Sequence, residues 1–178
     1  MTETKDRSLV LGLHPSAAGL GWTIFADPFT VHDHGVYRAS KKNKNASCLK
    51  KTAWLLARHN PEVLVLEAFD ADSSGRSKRI NKLCMSIVNL AAEQGVEFFV
   101  YRRDEIHDAF RVVEARTRDE IAEAVTRHVS ALQPYLPDKR KAWSGEDRRL
   151  SRLCAAALVL THYHHEATRF LNDLRDAA

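Results

Sequence analysis

Two side chains stand where apolar runs end, at positions that suit phosphate or metal chemistry. His14 follows the apolar segment Ser8–Leu13 and is itself followed by Pro15. Glu67 closes a second, continuous apolar run, Val63–Leu66. Hydrolysis of a phosphodiester by two metal ions needs several carboxylates, which converge from distant positions to hold the ions about 4 Å apart. Strand ends of an open sheet supply such ligands, so Glu67 is a candidate metal ligand, with a helix cap or a solvated strand end as the alternative.

The hydrophobic pattern predicts the elements that would position these residues. Alternation and continuous apolar runs indicate five strands, at 8–13, 22–25, 31–37, 63–67 and 96–101. Helical spacing and capping signals predict helices at 48–58, 80–93, 104–110, 117 to about 132, and about 146–174, the last with a possible break. A three-strand antiparallel meander followed by helix–strand alternation is typical of an α/β fold, in which helices flank a mixed sheet. We expect one domain over residues 1–178.

Composition and charge bear on where the protein acts and on the kind of partner it binds. The three cysteines are scattered and form no Cys-x-x-Cys pair, and no apolar run approaches the length that spans a bilayer. These features lead us to expect a cytoplasmic protein without a membrane partner. The net charge is +4, but residues 38–82 hold 11 Lys and Arg against 4 acids. Such a local excess indicates either a polyanion-binding surface or a solvated basic one.

Four local motifs occur in a recognisable order. They are Leu11-Gly-Leu-His14-Pro15 with the following Gly19-Leu-Gly21, Pro61-Glu-Val-Leu-Val-Leu-Glu67, Thr117-Arg-Asp-Glu-Ile121, and Trp143-Ser-Gly-Glu-Asp147 leading into Leu153-Cys-Ala-Ala-Ala-Leu158. Together they resemble the RuvC-like Holliday-junction resolvases of the RNase H-like superfamily. The resemblance implies an RNase H-like α/β fold, with a five-stranded mixed sheet whose first three strands are antiparallel.

The resemblance also implies roles for individual residues. Glu67 matches the metal-binding glutamate of the fourth strand, and Arg118 lies where resolvases carry a basic residue near the scissile phosphate. The segment after Glu67 faces DNA in the family, which makes Arg76, Lys78, Arg79 and Lys82 candidate phosphate contacts, and the basic loop before the first helix adds Lys41 and Lys42. The implied cofactor is Mg²⁺ or Mn²⁺, the implied partner is DNA, branched or duplex, and the resemblance suggests a homodimer.

Two departures from the family pattern affect the predicted chemistry. His14 stands where the first strand should end in aspartate, and Cys154 stands where the last helix should carry another. Asp147, or its neighbour Glu146, is a possible substitute ligand on the same helix. However, seven residues separate Asp147 from Cys154, which corresponds to about 10.5 Å along a helix axis, too far for a simple replacement.

Three roles for His14 remain open at this point. It could be a metal ligand, since imidazole binds Mn²⁺ or Zn²⁺ better than Mg²⁺. It could be a general base that activates water. It could also mark a decayed site, in a fold that binds nucleic acid or a partner without cutting. We expect a RuvC-like protein that binds branched or duplex DNA with weak or lost nuclease activity. The alternatives are an active metal-dependent endonuclease that uses Glu67, Asp147 and His14, and a protein-interaction module built on the same fold.

Overall fold

Five strands form a mixed sheet in the computed structural model, which describes residues 8–69, 75–138 and 148–177. The strands are β1 (Val10–Pro15), β2 (Gly19–Asp27), β3 (Thr30–Arg38), β4 (Val63–Glu67) and β5 (Glu97–Tyr101). Their order across the sheet is β3-β2-β1-β4-β5. The first three strands pair antiparallel, whereas β4 joins β1 and β5 joins β4 in parallel. This arrangement confirms the predicted fold class.

Helices cover both faces of the sheet. They are α1 (Lys44–His59), α2 (Lys78–Glu93), α3 (Arg103–Phe110), α4 (Arg118–His128) and α5 (Arg148–Asp176). One apolar cluster joins α1 and α2 to the sheet, and a second joins α3, α4 and α5 to the opposite face. The helix expected to reach about residue 132 ends at His128, because Val129 adopts an extended backbone and 3₁₀ turns follow at Ser130–Tyr135. The possible break in the last helix is absent from α5, which runs unbroken over Arg148–Asp176.

The parallel pairing of β1 with β4 brings the two candidate site residues together. Gly12 lies opposite Val65 in this pair, so two further steps along each strand lead to His14 and Glu67. Both strands are almost wholly buried, which explains why their sequences are continuous apolar runs. Their carboxyl ends share one edge of the sheet, where open α/β folds place ligands.

Two glycines let α5 lie directly against the sheet. A methyl group added at Gly12 would stand 2.4 Å from the carbonyl oxygen of Ala155 and 2.7 Å from Val159 Cγ2. One added at Gly21 would stand 2.4 Å from the carbonyl group of Ser151. Any side chain at these two positions would push the helix away from β1 and β2. This close approach holds the first turns of α5 over the end of β1.

We predict that Gly12→Ala destabilises the protein by about 1–3 kcal/mol, the usual cost of overpacking a tight core. The cause is the clash of the new methyl group with the backbone of α5. Urea unfolding followed by circular dichroism should therefore show a lower midpoint with an unchanged slope. Lys50→Ala, at an exposed position of α1, serves as the control. An unchanged midpoint in Gly12→Ala would contradict this account of how α5 packs on the sheet.

Candidate functional site

A pocket of about 630 Å³ opens at the carboxyl ends of β1 and β4. It is bounded by the start of α2 and by α3, α4 and α5. Its charged and polar lining includes residues from five different segments, among them His14, Glu67, Arg76, Arg103 and Arg118, and His107 lines it as well. Its apolar lining includes Ile106, Ile121, Leu153, Ala157 and Leu158. The pocket therefore joins a cationic part to a hydrophobic part.

The Glu67 carboxylate is held by arginine side chains. Its Oε2 atom accepts a hydrogen bond from an Arg76 terminal nitrogen at 2.6 Å, and its Oε1 atom lies 3.4 Å from a terminal nitrogen of Arg103. The side chains of Glu67 and Arg76 are 12% and 9% exposed, so this ion pair is largely shielded from water. Charge-assisted bonds of this length are among the stronger contacts in proteins. Arginine side chains thus compensate the negative charge of Glu67, the predicted metal ligand whose position matches the family pattern.

The hydrogen bonds of His14 define its tautomer. Ser151 Oγ donates to the His14 carbonyl oxygen at 3.0 Å, so that hydroxyl accepts from the Nδ1–H of the ring, at 3.2 Å. The other ring nitrogen, Nε2, lies 3.2 Å from a terminal nitrogen of Arg118. A guanidinium group can only donate, so Nε2 carries the lone pair and the ring is neutral.

Electrostatics supports a neutral His14. Burial lowers the pKa of its imidazole well below the ordinary value, and the nearby charges of Arg76 and Arg118 lower it further. His14 Nε2 and Glu67 Oε2 are 3.8 Å apart, a distance that would define an ion pair only if the ring were protonated. With a neutral ring, this contact is a close approach of two acceptors, each of which accepts from its own arginine, His14 Nε2 from Arg118 and Glu67 Oε2 from Arg76.

Arg118 enters the site from the first residue of α4. Thr117 caps this helix, because its hydroxyl accepts from the Glu120 backbone at 3.2 Å while the Glu120 carboxylate accepts from the Thr117 backbone at 2.8 Å. The predicted capping box is therefore present. It places Arg118 where its Nε donates to Cys154 Sγ at 3.1 Å and its terminal nitrogen reaches His14. Arg118 thus lies beside both His14 and Cys154, the two residues predicted to depart from the family pattern.

The other predicted phosphate contacts lie outside this inner cluster. Arg79 donates to Asn45 Oδ1 at 2.8 Å and to the Ser16 carbonyl at 3.0 Å, which ties the start of α2 to α1 and to the β1–β2 turn. Lys41, Lys42, Lys78 and Lys82 are all exposed, two before α1 and two on α2. Asp147 and Glu146 fall outside the described residues, so their predicted part in the site stays a prediction.

The described side chains do not fit a divalent cation. Within residues 8–69, 75–138 and 148–177, no group of three or more His, Cys, Asp or Glu is arranged to hold a metal ion. The Nε2 lone pair of His14 faces Arg118, and both oxygens of Glu67 face arginines. A metal ion bound between His14 and Glu67 would meet guanidinium groups of the same charge sign.

Among the site residues that sequence reasoning missed are Arg103 and Ser151. Arg103 follows β5 after one residue, and β5 pairs in parallel with β4 so that Tyr101 lies opposite Glu67. A basic residue directly after the third parallel strand was therefore an available signal. Ser151 lies three residues before Cys154, on the same face of α5, and its role depends on the close contact of that helix with β1. That contact left no recognisable pattern in the sequence.

A scan against protein-family models found no match for this chain, and neither did a search of curated proteins. Among solved structures, the chain is similar to RuvC from Thermus thermophilus, with a TM-score of 0.67 and 17% identity over 90% of this chain and 96% of that one. T. thermophilus RuvC in complex with a Holliday junction substrate gives a TM-score of 0.66 and 18% identity, over 90% and 95% of the two chains.

The yeast mitochondrial Holliday junction resolvase is also similar, with a TM-score of 0.53 and 15% identity over 92% of this chain and 85% of that one. At such low identity the likeness concerns the arrangement of the backbone. The strand order, the mixed pairing and the helices on both faces all agree with it. The chain has the RNase H-like fold of the RuvC and resolvase structures.

Proposed function

We propose that this protein binds DNA, branched or duplex, through the basic end of its sheet, and that its nuclease activity is weak or lost. The observation that carries the proposal is the ring of guanidinium groups around Glu67 and His14. Of the described residues that line the pocket, three are arginines and one is an acid. With His14 neutral, this balance favours an anionic ligand over a cation.

The surface around the pocket supports the same conclusion. Ser77 and Ile80, at the start of α2, line the pocket, and Lys78 and Lys82 belong to the same two turns of the helix. Arginine and lysine side chains supply most of the affinity in phosphate-backbone binding. One of the similar structures, T. thermophilus RuvC, holds a Holliday junction substrate, so this fold is compatible with a branched ligand.

The described part of the site gives less support to an active nuclease. His14 and Glu67 do approach each other, at 3.8 Å, as the endonuclease alternative requires. However, the general-base role needs a free lone pair on Nε2, and Arg118 donates to that atom. The metal-ligand role needs the arginines to withdraw from Glu67.

No helix in the described part of the chain combines the length and apolarity needed to cross a bilayer.

We predict binding of a synthetic four-way junction with a steep dependence on salt, because each phosphate neutralised releases counterions. Replacing both Lys78 and Lys82 by Gln should weaken binding and flatten the slope of log K against log salt by about 0.9 for each phosphate that is no longer neutralised. The control variant, Arg169→Gln with Arg175→Gln, removes the same charge from the exposed far end of α5. Fluorescence anisotropy at several salt concentrations measures both effects. A lack of binding at low salt would refute the proposal.

We predict that the wild-type protein leaves a four-way junction uncut with either Mg²⁺ or Mn²⁺, since the arginines oppose a cation beside Glu67. Denaturing gel electrophoresis of labelled strands is the measurement. Glu67→Gln is the matched variant, because it keeps the side-chain shape and removes the carboxylate. Cleavage by the wild type that disappears in Glu67→Gln would establish the endonuclease alternative.

We also predict that His14 makes the protein less stable in acid. The unfolded imidazole binds a proton below about pH 6.5, whereas the folded one resists protonation, so stability falls as pH drops below that value. His14→Asn should remove up to about 1.4 kcal/mol per pH unit from this dependence between pH 6.5 and the folded pKa. Urea unfolding at several pH values measures it, with the exposed His164→Asn as control. Equal pH dependence in wild type and His14→Asn would argue against a neutral, buried His14.

A further inference from the structure

We infer that the pocket binds a single nucleotide unit without a metal ion, its phosphate on the arginines and its base against the apolar lining. This inference rests on the proposed function and deepens it, because it names what occupies the site. A surface that binds only the phosphate backbone of DNA needs no more than cationic side chains. This pocket also has apolar side chains in its lining, which a backbone contact does not require.

The cationic part suits a phosphate group. Arg103 and Arg118 approach from α3 and α4, and Arg76 from the segment before α2, so the three guanidinium groups reach the pocket from separate elements. The Arg103 side chain is 69% exposed and contacts Glu67 only at 3.4 Å, so it can turn towards a ligand at small cost. A planar guanidinium group can donate two parallel hydrogen bonds to two oxygens of one phosphate, and it can also stack on a base.

The apolar part suits a base. Four large aliphatic side chains from α3, α4 and α5, together with Ala157, line this side of the pocket, and the four are Ile106, Ile121, Leu153 and Leu158. Ile106 and Ile121 keep 9% and 6% of their surface exposed and form the part of this wall that a base would contact, whereas Leu153 and Leu158, at 0% and 1%, belong to the core that fixes its shape. Enzymes that accept a base flipped from a duplex hold it between apolar side chains in this manner. The volume of about 630 Å³ lies within the range of small-molecule sites.

Two sources could supply this ligand, a free nucleotide and a nucleotide within a strand. Both present the same phosphate and base, so the first test uses small probes. Calorimetry on the full chain in EDTA compares deoxyadenosine monophosphate, deoxyribose 5-phosphate and inorganic phosphate. We expect the nucleotide to bind about tenfold more tightly than inorganic phosphate, a factor that contact with the base alone can supply.

Two variant pairs test the two parts of the pocket. Arg118→Gln should weaken all three probes, whereas Arg175→Gln, at the far end of α5, should weaken none. Cys154→Leu places a larger side chain beside the base position, and Cys154→Ser keeps the size of the original. We expect Cys154→Leu to reduce the advantage of the nucleotide over deoxyribose 5-phosphate by about tenfold and Cys154→Ser to preserve it. Circular dichroism confirms that each variant folds.

The outcomes separate this inference from the proposed function. Equal affinity for the nucleotide and inorganic phosphate, or no binding of either while junction DNA still binds, would overturn the nucleotide pocket and leave DNA binding in place. Nucleotide binding without any DNA binding would support the pocket and refute the proposed function, with a free nucleotide as the ligand. Competition between the nucleotide and a single-stranded oligonucleotide would support a site that also accepts a nucleotide within a strand.

Discussion

The buried ion pair of Glu67 with Arg76 is the interaction on which the character of this site depends. A carboxylate that is 12% exposed needs a counter-charge, because an unpaired buried charge is strongly destabilising. In a metal-dependent nuclease that counter-charge is a divalent cation. Here a guanidinium group from the same chain supplies it, and a second, Arg103, approaches the other oxygen. Once arginines fill this role, the remaining site residues must be compatible with a positive neighbourhood.

His14 meets that requirement only as a neutral ring. An aspartate at the end of β1 would attract the arginines more closely, while a protonated histidine would be repelled by them. The neutral tautomer, with Nδ1–H directed to Ser151 and the Nε2 lone pair directed to Arg118, satisfies both ring nitrogens. This arrangement depends on α5, because Ser151 reaches His14 only where Gly12 and Gly21 allow the helix to touch the sheet. Core packing and site chemistry are therefore coupled through one helix.

The sequence was sufficient to predict the backbone of the site and insufficient for its electrostatics. The apolar runs that end in His14 and Glu67 predicted two buried strands, and the spacing of Thr117 and Glu120 predicted the start of α4. These signals are local, so they can be read from a single chain. The pairing of Glu67 with Arg76 and Arg103 depends on side-chain directions across three elements, which no spacing rule encodes. The apolar lining was hidden for a similar reason, since core residues and pocket residues of α5 have the same composition.

A metal ion and an arginine cluster are two alternative ways to compensate the charge of a shielded carboxylate. Divalent cations require several oxygen ligands, whereas guanidinium groups beside a single carboxylate leave a net positive charge. The described lining, with three arginines and one acid, follows the second solution. An anion would compensate the positive charge of such a site, as a metal ion compensates the negative charge of a nuclease site. Binding a phosphate in this way requires no hydrolysis. A neutral His14 at the end of β1, where the family resemblance would put an acid, is thus consistent with the nucleotide pocket that we propose.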